Sequence, residues 1–432
     1  MTSPDSGASG AAQTGKVPRS IVAATVAGNA LEFYDFVTYA FFAVYIGKAF
    51  FPAATPMGSL MLSVAVFGVG FFARPLGGIL IGAFADRAGR RPAMLLTIGL
   101  ITVGTLGLAL TPSYASIGMA APVIVVVCRL VQGLALGGEV GPASAFLIEA
   151  APEGRRGLYA SWQLASQGLA AGVAGVMGMT MTALVTPAQM ADWGWRVPFV
   201  VGLLLVPLAI YLRRRMPETL HGDRRSSSAS RARPPRARYR GFIAIAVLVM
   251  VGGTVSTYVL NFMTTYAITT LKMSPGIALS ATVVGGFVTA AFALVGGWLA
   301  DRHGRRSTML WPRLLTVALA VPAFMLLAAH PGIGMLLAVS SVLSALTAIS
   351  GAASMTAIPE LLPASFRATG LAIAYAIGVS LFGGSTQFII TWLIGATGNP
   401  AAPAWYMAAA SVVSALAMLA LPESRDRKLL QD

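Results

Sequence analysis

The chain has few charged residues and almost no cysteine, and these shortages exclude several classes of protein. Of its 432 residues 10% are charged and one is a cysteine, whereas 56% are hydrophobic and the mean hydropathy is +0.76. Soluble globular chains carry about 25% charged residues, so a soluble protein is excluded. The single Cys128 allows no disulfide framework. His221, His303 and His330 all lie outside the apolar runs, so no metal-binding set is recognisable.

Apolar runs separated by turn signals predict twelve membrane-spanning helices. Runs of about 20 residues match a hydrocarbon core of roughly 30 Å, and in lipid the backbone must satisfy its hydrogen bonds within helices. The predicted spans are residues 20–46, 59–85, 92–110, 122–148, 158–185, 195–213, 242–270, 278–300, 307–328, 334–358, 366–394 and 404–421. The expected fold class is therefore an all-α membrane protein.

The net charge of +15 is sorted along the chain in a way that nucleic-acid binding does not explain. All but six of the 30 lysines and arginines lie in the N-terminal arm, in alternate loops or at the C-terminus. The six exceptions are Lys48, Arg74, Arg129, Arg196, Lys272 and Arg313. This asymmetry is typical of the positive-inside rule and predicts that both termini are cytoplasmic.

The two halves of the chain repeat each other, which predicts two six-helix bundles related by pseudo-symmetry. GAFADRAGRR at residues 82–91 returns as GWLADRHGRR at residues 297–306, and EAAPEGRR at 149–156 returns as ELLPASFR at 360–367. We predict a disordered cytoplasmic tail (1–18), an N-terminal bundle (19–213), an Arg/Ser/Pro-rich cytoplasmic linker (214–240), a C-terminal bundle (241–422) and a short cytoplasmic tail (423–432). Such repeats place a substrate site between the bundles, near the bilayer midplane.

The doubled G-x-x-x-D-R-x-G-R-R loop resembles the signature of the major facilitator superfamily. GNALEFYDF (28–36), ARPLGG (73–78), RLVQG (129–133) with GGE (137–139), and DWGWRVPF (192–199) resemble its metabolite:proton symporter branch. SWQ (161–163), SQ (166–167) and FGG (382–384) are similar to citrate and tricarballylate symporters, which usually continue with an aromatic residue and Thr-Pro where this chain has STQ (385–387). The resemblance implies a major facilitator fold in a bacterial inner membrane and proton-coupled import of a di- or tricarboxylate, with H⁺ as the coupling ion and no cofactor.

Three acidic residues lie well inside the predicted spans, namely Glu32 and Asp35 in span one and Glu139 in span four. Acids in hydrocarbon are costly and indicate a functional site. At 1.5 Å of rise per residue, Glu32 lies about 18 Å from the start of its span and Arg129 about 10 Å from the opposite surface, so the two share a depth. Glu32 and Asp35 share a helix face, so one can pair with Arg129 while the other carries the coupling proton. The alternative is that these residues form a purely structural network. Glu139 lies on the same helix face as Gln132 and is interpreted as a proton carrier or as a brace of the inner gate.

Arginines and polar side chains within the spans indicate a site for an anionic substrate. Arg74, Arg129 and Arg313 lie inside spans, and guanidinium groups bind carboxylates in a bidentate manner. For Arg313, about 9 Å from the end of its span, snorkelling to the surface is the alternative, and for Arg74 it is helix packing. The other candidate substrate-binding residues are Asn29, Gln132, Gln163, Gln167, Tyr258, Asn261, Tyr375 and Gln387, with hydrogen bonding between helices as the alternative role for each.

The repeated loops are predicted to be gates rather than binding sites. A carboxylate there can face a helix N-terminus or an arginine in one state and lose that partner in the other, which gives a bistable latch. A role limited to membrane topology is the alternative for the arginines. The predicted gating residues are Asp86, Arg90, Asp301, Arg305, Glu149, Arg156, Glu360 and Arg367.

Span five distinguishes import from export. Glycines at 168, 172, 175 and 178 form a stripe that predicts close helix packing. Exporters of the superfamily usually carry a Gly-Pro kink motif in this span, whereas QGLAAG at 167–172 has no proline. Export is therefore disfavoured.

The function expected from the sequence is alternating access driven by a proton on Glu32, Asp35 or Glu139, with a carboxylate held by Arg129 and its neighbours. Within symport, a zwitterion or monocarboxylate such as betaine, proline or shikimate remains an alternative substrate, and a drug or metabolite exporter of the same fold is the rival function. We expect no enzyme activity and no nucleic-acid partner. The expected partners are the lipid bilayer, protons and a small anionic substrate, and the expected oligomeric state is a monomer.

Overall fold

The structure is a computed structural model that describes residues 19–88, 90–137, 147–148, 151–214, 236–362 and 364–425. The described residues form helices joined by short connections and contain no strand. The helices of the N-terminal bundle are α1 (Arg19–Phe41), α2 (Pro56–Ala88), α3 (Arg90–Leu110), α4 (Ala120–Gly137), α5 (Arg156–Leu184) and α6 (Val197–Arg214). Those of the C-terminal bundle are α7 (Arg236–Asn261), α8 (Pro275–His303), α9 (Arg305–Ala329), α10 (Ile333–Glu360), α11 (364–397) and α12 (Ala402–Ala420).

Length and composition fit these helices to a bilayer. Within the described ranges nine helices are long and apolar enough to cross a membrane, and the segments Leu95–Leu110 and Gly194–Leu204 are shorter apolar helices. Backbone groups in hydrocarbon are satisfied within each helix, which explains why the apolar runs fold this way. The prediction of an all-α membrane protein with twelve spans in two pseudo-symmetric bundles is confirmed.

The first and seventh spans break at equivalent places. The helix after α1 is Ala43–Phe50, and the helix after α7 is Met263–Thr269. Phe42 and Phe262, one residue in each half, separate these pieces. The sequence analysis assigned each pair to one continuous span, because neither break contains a glycine or a proline.

Helices α5 and α8 form one seam between the bundles and touch along their whole length. A Cβ atom at Gly157 would lie 2.5 Å from the Gly297 carbonyl oxygen, and one at Gly286 would lie 2.3 Å from the Gly172 nitrogen. Gly178, near the other end of α5, packs against the Leu279 side chain, whose Cδ2 would lie 3.1 Å from a Cβ there. The glycine stripe of span five therefore allows the close helix packing that its sequence predicts.

Gly286→Ala is expected to destabilise the protein by about 1–3 kcal/mol, because the added methyl group meets helix backbone that cannot yield. Its control is Gly334→Ala in the first turn of α10, where a Cβ would meet nothing within 4 Å. The midpoint of thermal unfolding in detergent measures both variants. Equal midpoints for the two would contradict the packing described for this seam.

Helices α2 and α11 form the second seam. A Cβ at Gly68 would lie 2.4 Å from the carbonyl oxygen of Gly384. Just before Gly384, α11 contains a π-helical turn, Val379–Gly383. Between the two seams lies the interior of the molecule, where the candidate site is found.

Apolar packing closes one end of the interface between the bundles. Leu60 and Val64 of α2 belong to one buried cluster with Phe262, Met263 and Ile390 of the C-terminal bundle. The opposite end, where the predicted gate arginines lie, is called the basic end below and includes Arg156, Arg305 and Arg306. The interface between the bundles is thus held by apolar contacts at one end and by polar contacts at the basic end.

Candidate functional site

A central cavity lies between the two bundles. It bounds about 1370 Å³ of space, counted up to and including its open mouth. Residues of α1 and α5 form one wall, and residues of α7 to α11 form the other. Among the described residues that border the cavity, Arg313 is the one charged side chain.

Arg313 is held in the cavity wall by few polar contacts. Its Nη1 donates a hydrogen bond to the Ser256 hydroxyl at 3.2 Å, while Nε and Nη2 have no hydrogen-bond partner in the described part of the chain. Arg313 is fully buried, so it does not snorkel to the surface, and a Cβ at Gly253 would lie 3.3 Å from Nη2. A buried cation with two unused donors is suited to a carboxylate.

Hydroxyl groups of α10 line the same cavity. Ser340, Ser344, Thr347 and Ser354 follow one another at helical spacing on the cavity side. The hydroxyls of Ser340 and Thr347 are buried and have no hydrogen-bond partner among the described residues. The sequence analysis missed this wall, although a hydroxyl at every third or fourth position of span ten was a usable signal.

Asp35 and Arg129 are joined through Gln132 rather than by a direct ion pair. Arg129 Nη1 donates to Gln132 Oε1 at 2.6 Å, and Gln132 Nε2 donates to Asp35 Oδ2 at 2.7 Å. Gln132 Nε2 also contacts the Thr105 hydroxyl at 3.0 Å. The Arg129 guanidinium lies 3.9 Å from the centre of the Tyr39 ring. The side-chain amide of Gln132 therefore bridges the Asp35 carboxylate and the Arg129 guanidinium.

Arg74 lies beside the cavity, behind aromatic rings. Its guanidinium carbon is 4.1 Å from the centre of the Phe71 ring and 4.7 Å from that of Phe36. Its Nε and Nη2 have no hydrogen-bond partner within the described ranges, and the Tyr258 hydroxyl is within reach of the same guanidinium. Phe36 and Tyr258 both border the cavity.

The predicted substrate-binding residues divide into two groups in the structure. Those that border the central cavity are Gln163, Gln167, Tyr258, Asn261, Arg313 and Tyr375. Those that are buried outside its lining are Asn29, Arg74, Arg129, Gln132 and Gln387. Asn29 exchanges hydrogen bonds with Gln163, and Gln387 has no hydrogen-bond partner in the described part of the chain.

Two of the three predicted proton-coupling residues, Glu32 and Asp35, lie outside the lining of the central cavity. Glu32 and Asp35 are each 6% exposed and border a separate, smaller cavity between α1, α3 and α6. Asp35 Oδ1 has no hydrogen-bond partner in the described ranges. Glu139 lies outside the described residues.

Three predicted gating residues, Asp301, Arg305 and Glu360, meet at the basic end, and Asp301 joins the two bundles. Asp301 of the C-terminal bundle accepts hydrogen bonds from the backbone N–H groups of Gly157 and Leu158 in the first turn of α5, at 2.8 and 2.9 Å. Arg305 lies 3.2 Å from Asp301 and pairs with both Glu360 oxygens at 3.0 Å. A carboxylate at a helix N-terminus is stabilised by unpaired N–H groups and by the helix dipole.

The remaining predicted gating residues are described less fully. Arg156 Nη1 lies 4.0 Å from Glu360 Oε1, across the interface. Glu149 lies outside the described residues, and so do the side chains of Asp86, Arg90 and Arg367. The latch is therefore described for the copy of the repeat that carries Asp301.

Glu423, after the last span, supports this latch and was missed by the sequence analysis. Its carboxylate accepts hydrogen bonds from the backbone N–H groups of Arg305 and Arg306 at 2.8 and 2.9 Å. Burial alone would raise the pKa of Glu423, but hydrogen bonds from four backbone N–H groups lower its pKa below the usual value. The contact is therefore present at neutral pH and is lost as pH falls through the lowered pKa. Gly304, at φ +99°, lets the chain turn between α8 and α9 beside Glu423.

Asp301→Asn is expected to weaken the latch by about 1–2 kcal/mol, which raises the ratio of open to closed basic ends about 5- to 30-fold. Spin labels are attached at Arg155→Cys and Arg302→Cys, both exposed positions, in a Cys128→Ala background that removes the native thiol. The distance between the two labels reports the separation of the bundles at the basic end. The control is Glu153→Gln, an exposed acid near the same loop. An unchanged distance distribution in Asp301→Asn would contradict the latch.

Comparison with known proteins gives consistent matches over most of the chain. Residues 20–233 match a family described as sugar (and other) transporter, and residues 245–431 match the Major Facilitator Superfamily. A citrate-proton symporter of Klebsiella pneumoniae is 39% identical over 90% of this chain and 88% of its own length. A proline/betaine transporter of Escherichia coli K12 is 31% identical over 96% and 85%.

The fold is also similar to that of solved transporters. The xylose transporter of E. coli, in a partially occluded inward-open conformation, superposes with a TM-score of 0.77 over 95% of this chain and 99% of that one. The two sequences are 17% identical, so this likeness concerns the fold alone.

Proposed function

The chain belongs to the major facilitator superfamily, and from that premise we propose that it is a proton-coupled symporter that imports a small organic carboxylate of the citrate or tricarballylate type. The protein is a multi-pass membrane transporter and not an enzyme. The observation that carries the proposal is the buried, incompletely hydrogen-bonded Arg313 in an otherwise uncharged described lining of the central cavity.

Charge balance supports an anionic substrate. A guanidinium in a low-dielectric site is costly unless it is paired, and two donors of Arg313 have no acceptor among the described residues. One substrate carboxylate on Nε and Nη2 would supply both acceptors and the counter-charge. Further carboxyl or hydroxyl groups of the substrate would meet the hydroxyls of Ser340 and Thr347, for which the described part of the chain offers no hydrogen-bond partner.

The Asp35–Gln132–Arg129 chain supports coupling to a proton. With Asp35 ionised, its charge balances Arg129 through Gln132. With Asp35 protonated, Arg129 loses that balance, and a substrate anion in the cavity compensates for it across Phe36, whose ring lies 5.6 Å from the Arg129 guanidinium. Such electrostatic coupling is strong where water is scarce. Proton and anion would therefore bind together and be released together.

Alternating access follows from the two seams and the latch. Substrate and proton drive the change only through unequal affinity for the two states. The Asp301 latch stabilises the state in which the basic end is closed at α5 and α8. Its opening would release the substrate toward that end, which the distribution of arginines assigns to the cytoplasm.

Import of a zwitterion is the second candidate, and one observation favours it. Phe33, Phe36 and Phe41 of α1, with Tyr258 and Tyr375, present aromatic rings to the cavity. Aromatic faces bind quaternary ammonium groups. A betaine could place its carboxylate on Arg313 and its ammonium group against these rings.

Thermal unfolding of the purified protein with citrate, tricarballylate, 2-oxoglutarate, shikimate and betaine distinguishes these candidates. A ligand at 100 times its Kd stabilises the folded state by about 2.7 kcal/mol. We expect citrate or tricarballylate to raise the unfolding midpoint most. If betaine stabilises the protein and citrate, tricarballylate, 2-oxoglutarate and shikimate do not, the assignment of a citrate-type substrate is overturned.

A further inference from the structure

A second cavity in the N-terminal bundle is separate from the substrate cavity. We call it the side cavity; it bounds about 410 Å³ of space, counted up to and including its opening. It is lined by Leu31, Glu32, Asp35, Ile98, Ile101, Thr102, Thr105, Gly202, Leu203 and Val206. None of these residues borders the central cavity. Helix α1 divides the two spaces, since its Phe33, Phe36 and Val37 line the central cavity while its acids line the other.

The side cavity extends from Asp35 toward the basic end. From Asp35 it passes Glu32 and Leu31, toward the start of α1, while on α3 it extends from Thr105 to Ile98, toward the start of that helix. The step of seven positions from Thr105 to Ile98 corresponds to about 10 Å along the helix axis. On α6 it extends from Gly202 to Val206, toward Arg214. All three directions lead to the basic end.

Asp35 presents an unused oxygen in this space. Its Oδ2 is bound by Gln132, whereas Oδ1 is buried and has no hydrogen-bond partner in the described part of the chain. The charged and titratable groups around Asp35 are Glu32 and Tyr34 of its own helix and Arg129 of α4. The residues of α3 and α6 in the lining are apolar, hydroxyl or glycine.

We propose that the coupling proton leaves Asp35 through the side cavity, by way of Glu32, and reaches the basic end without entering the substrate cavity. This inference rests on the proposed proton symport. In the step, the O–H bond of protonated Asp35 breaks and an O–H bond forms on a water molecule or on the Glu32 carboxylate, which then passes its proton to water. Proton and substrate thus share an electrostatic coupling but take different routes.

Thiol labelling tests whether the two routes are separate. In the Cys128→Ala background, Thr102→Cys in the side cavity and Thr257→Cys in the central cavity are treated with 2-aminoethyl methanethiosulfonate, with and without saturating citrate. We expect citrate to protect Thr257→Cys at least about 10-fold, while Thr102→Cys reacts equally with and without it. Protection of both positions, or an unreactive Thr102→Cys, would overturn the separate route. If citrate protects neither, then the carboxylate assignment fails instead.

Filling the side cavity gives a second, independent result. In proteoliposomes, Val206→Phe and Thr102→Leu are expected to slow uptake driven by a pH gradient and to leave citrate counterflow unchanged, because counterflow needs no net proton release. Thr102→Ser, which keeps the hydroxyl and adds no volume, is the control. Wild-type rates of gradient-driven uptake in both filled variants would contradict the route, whereas a wild type that ignores the pH gradient would contradict the symport itself.

Discussion

Arg313→Gln is expected to weaken citrate binding at least about 100-fold, because two hydrogen bonds from a charged donor contribute about 3 kcal/mol or more and each 1.4 kcal/mol is a factor of ten in Kd. The amide keeps part of the side-chain volume, so the change removes the charge and the second donor with little repacking. Binding of labelled citrate to the purified variant measures the effect.

Lys48→Gln is the matched control for this loss of charge. Lys48 is exposed in the helix Ala43–Phe50, outside the cavity lining. Its neutralisation should leave the Kd for citrate unchanged. If the Arg313→Gln protein unfolds at the wild-type midpoint and binds citrate with the wild-type Kd, then Arg313 does not bind the substrate.

Asp35→Asn is expected to abolish accumulation of citrate driven by a proton gradient while citrate counterflow persists. The amide accepts from Gln132 as the carboxylate does, but it carries no negative charge and binds no proton in this pH range. Arg129 is then permanently without its counter-charge, so the substrate anion binds whether or not a proton is present. Uptake and counterflow in proteoliposomes separate the two activities.

Glu153→Gln is the control for Asp35→Asn, since it makes the same acid-to-amide change at an exposed position of the loop before α5. It should accumulate citrate at the wild-type rate. Gradient-driven accumulation by Asp35→Asn at that rate would show that the proton is carried elsewhere.

The sequence predicted most of the architecture, because the signals for it are local or periodic. Apolar run length predicted the spans, the glycine stripe predicted close packing of span five, and the repeated loop predicted a latch that includes Asp301. The breaks at Phe42 and Phe262 were not predictable in this way, because a phenylalanine in an apolar run carries no breaking signal.

The sequence predicted how deep in the membrane the site residues lie, but not which way each side chain points. A rise of 1.5 Å per residue placed Arg129 level with the acids of span one. It could not show that Gln132 lies between Arg129 and Asp35, since this depends on how each helix is rotated about its axis. For the same reason the sequence could not decide whether Arg313 snorkels to the membrane surface or borders the cavity. The face of a helix that is hydrophobic nearly all round has no strong periodic signal.

Two recordings on one set of proteoliposomes, internal pH and labelled citrate uptake, test the central claim most directly. The account predicts that citrate entry acidifies the lumen in the wild type, that Asp35→Asn exchanges citrate without a pH change, and that Arg313→Gln shows neither signal. Citrate accumulation by the wild type with no proton movement, or accumulation that is indifferent to Arg313→Gln, would contradict it.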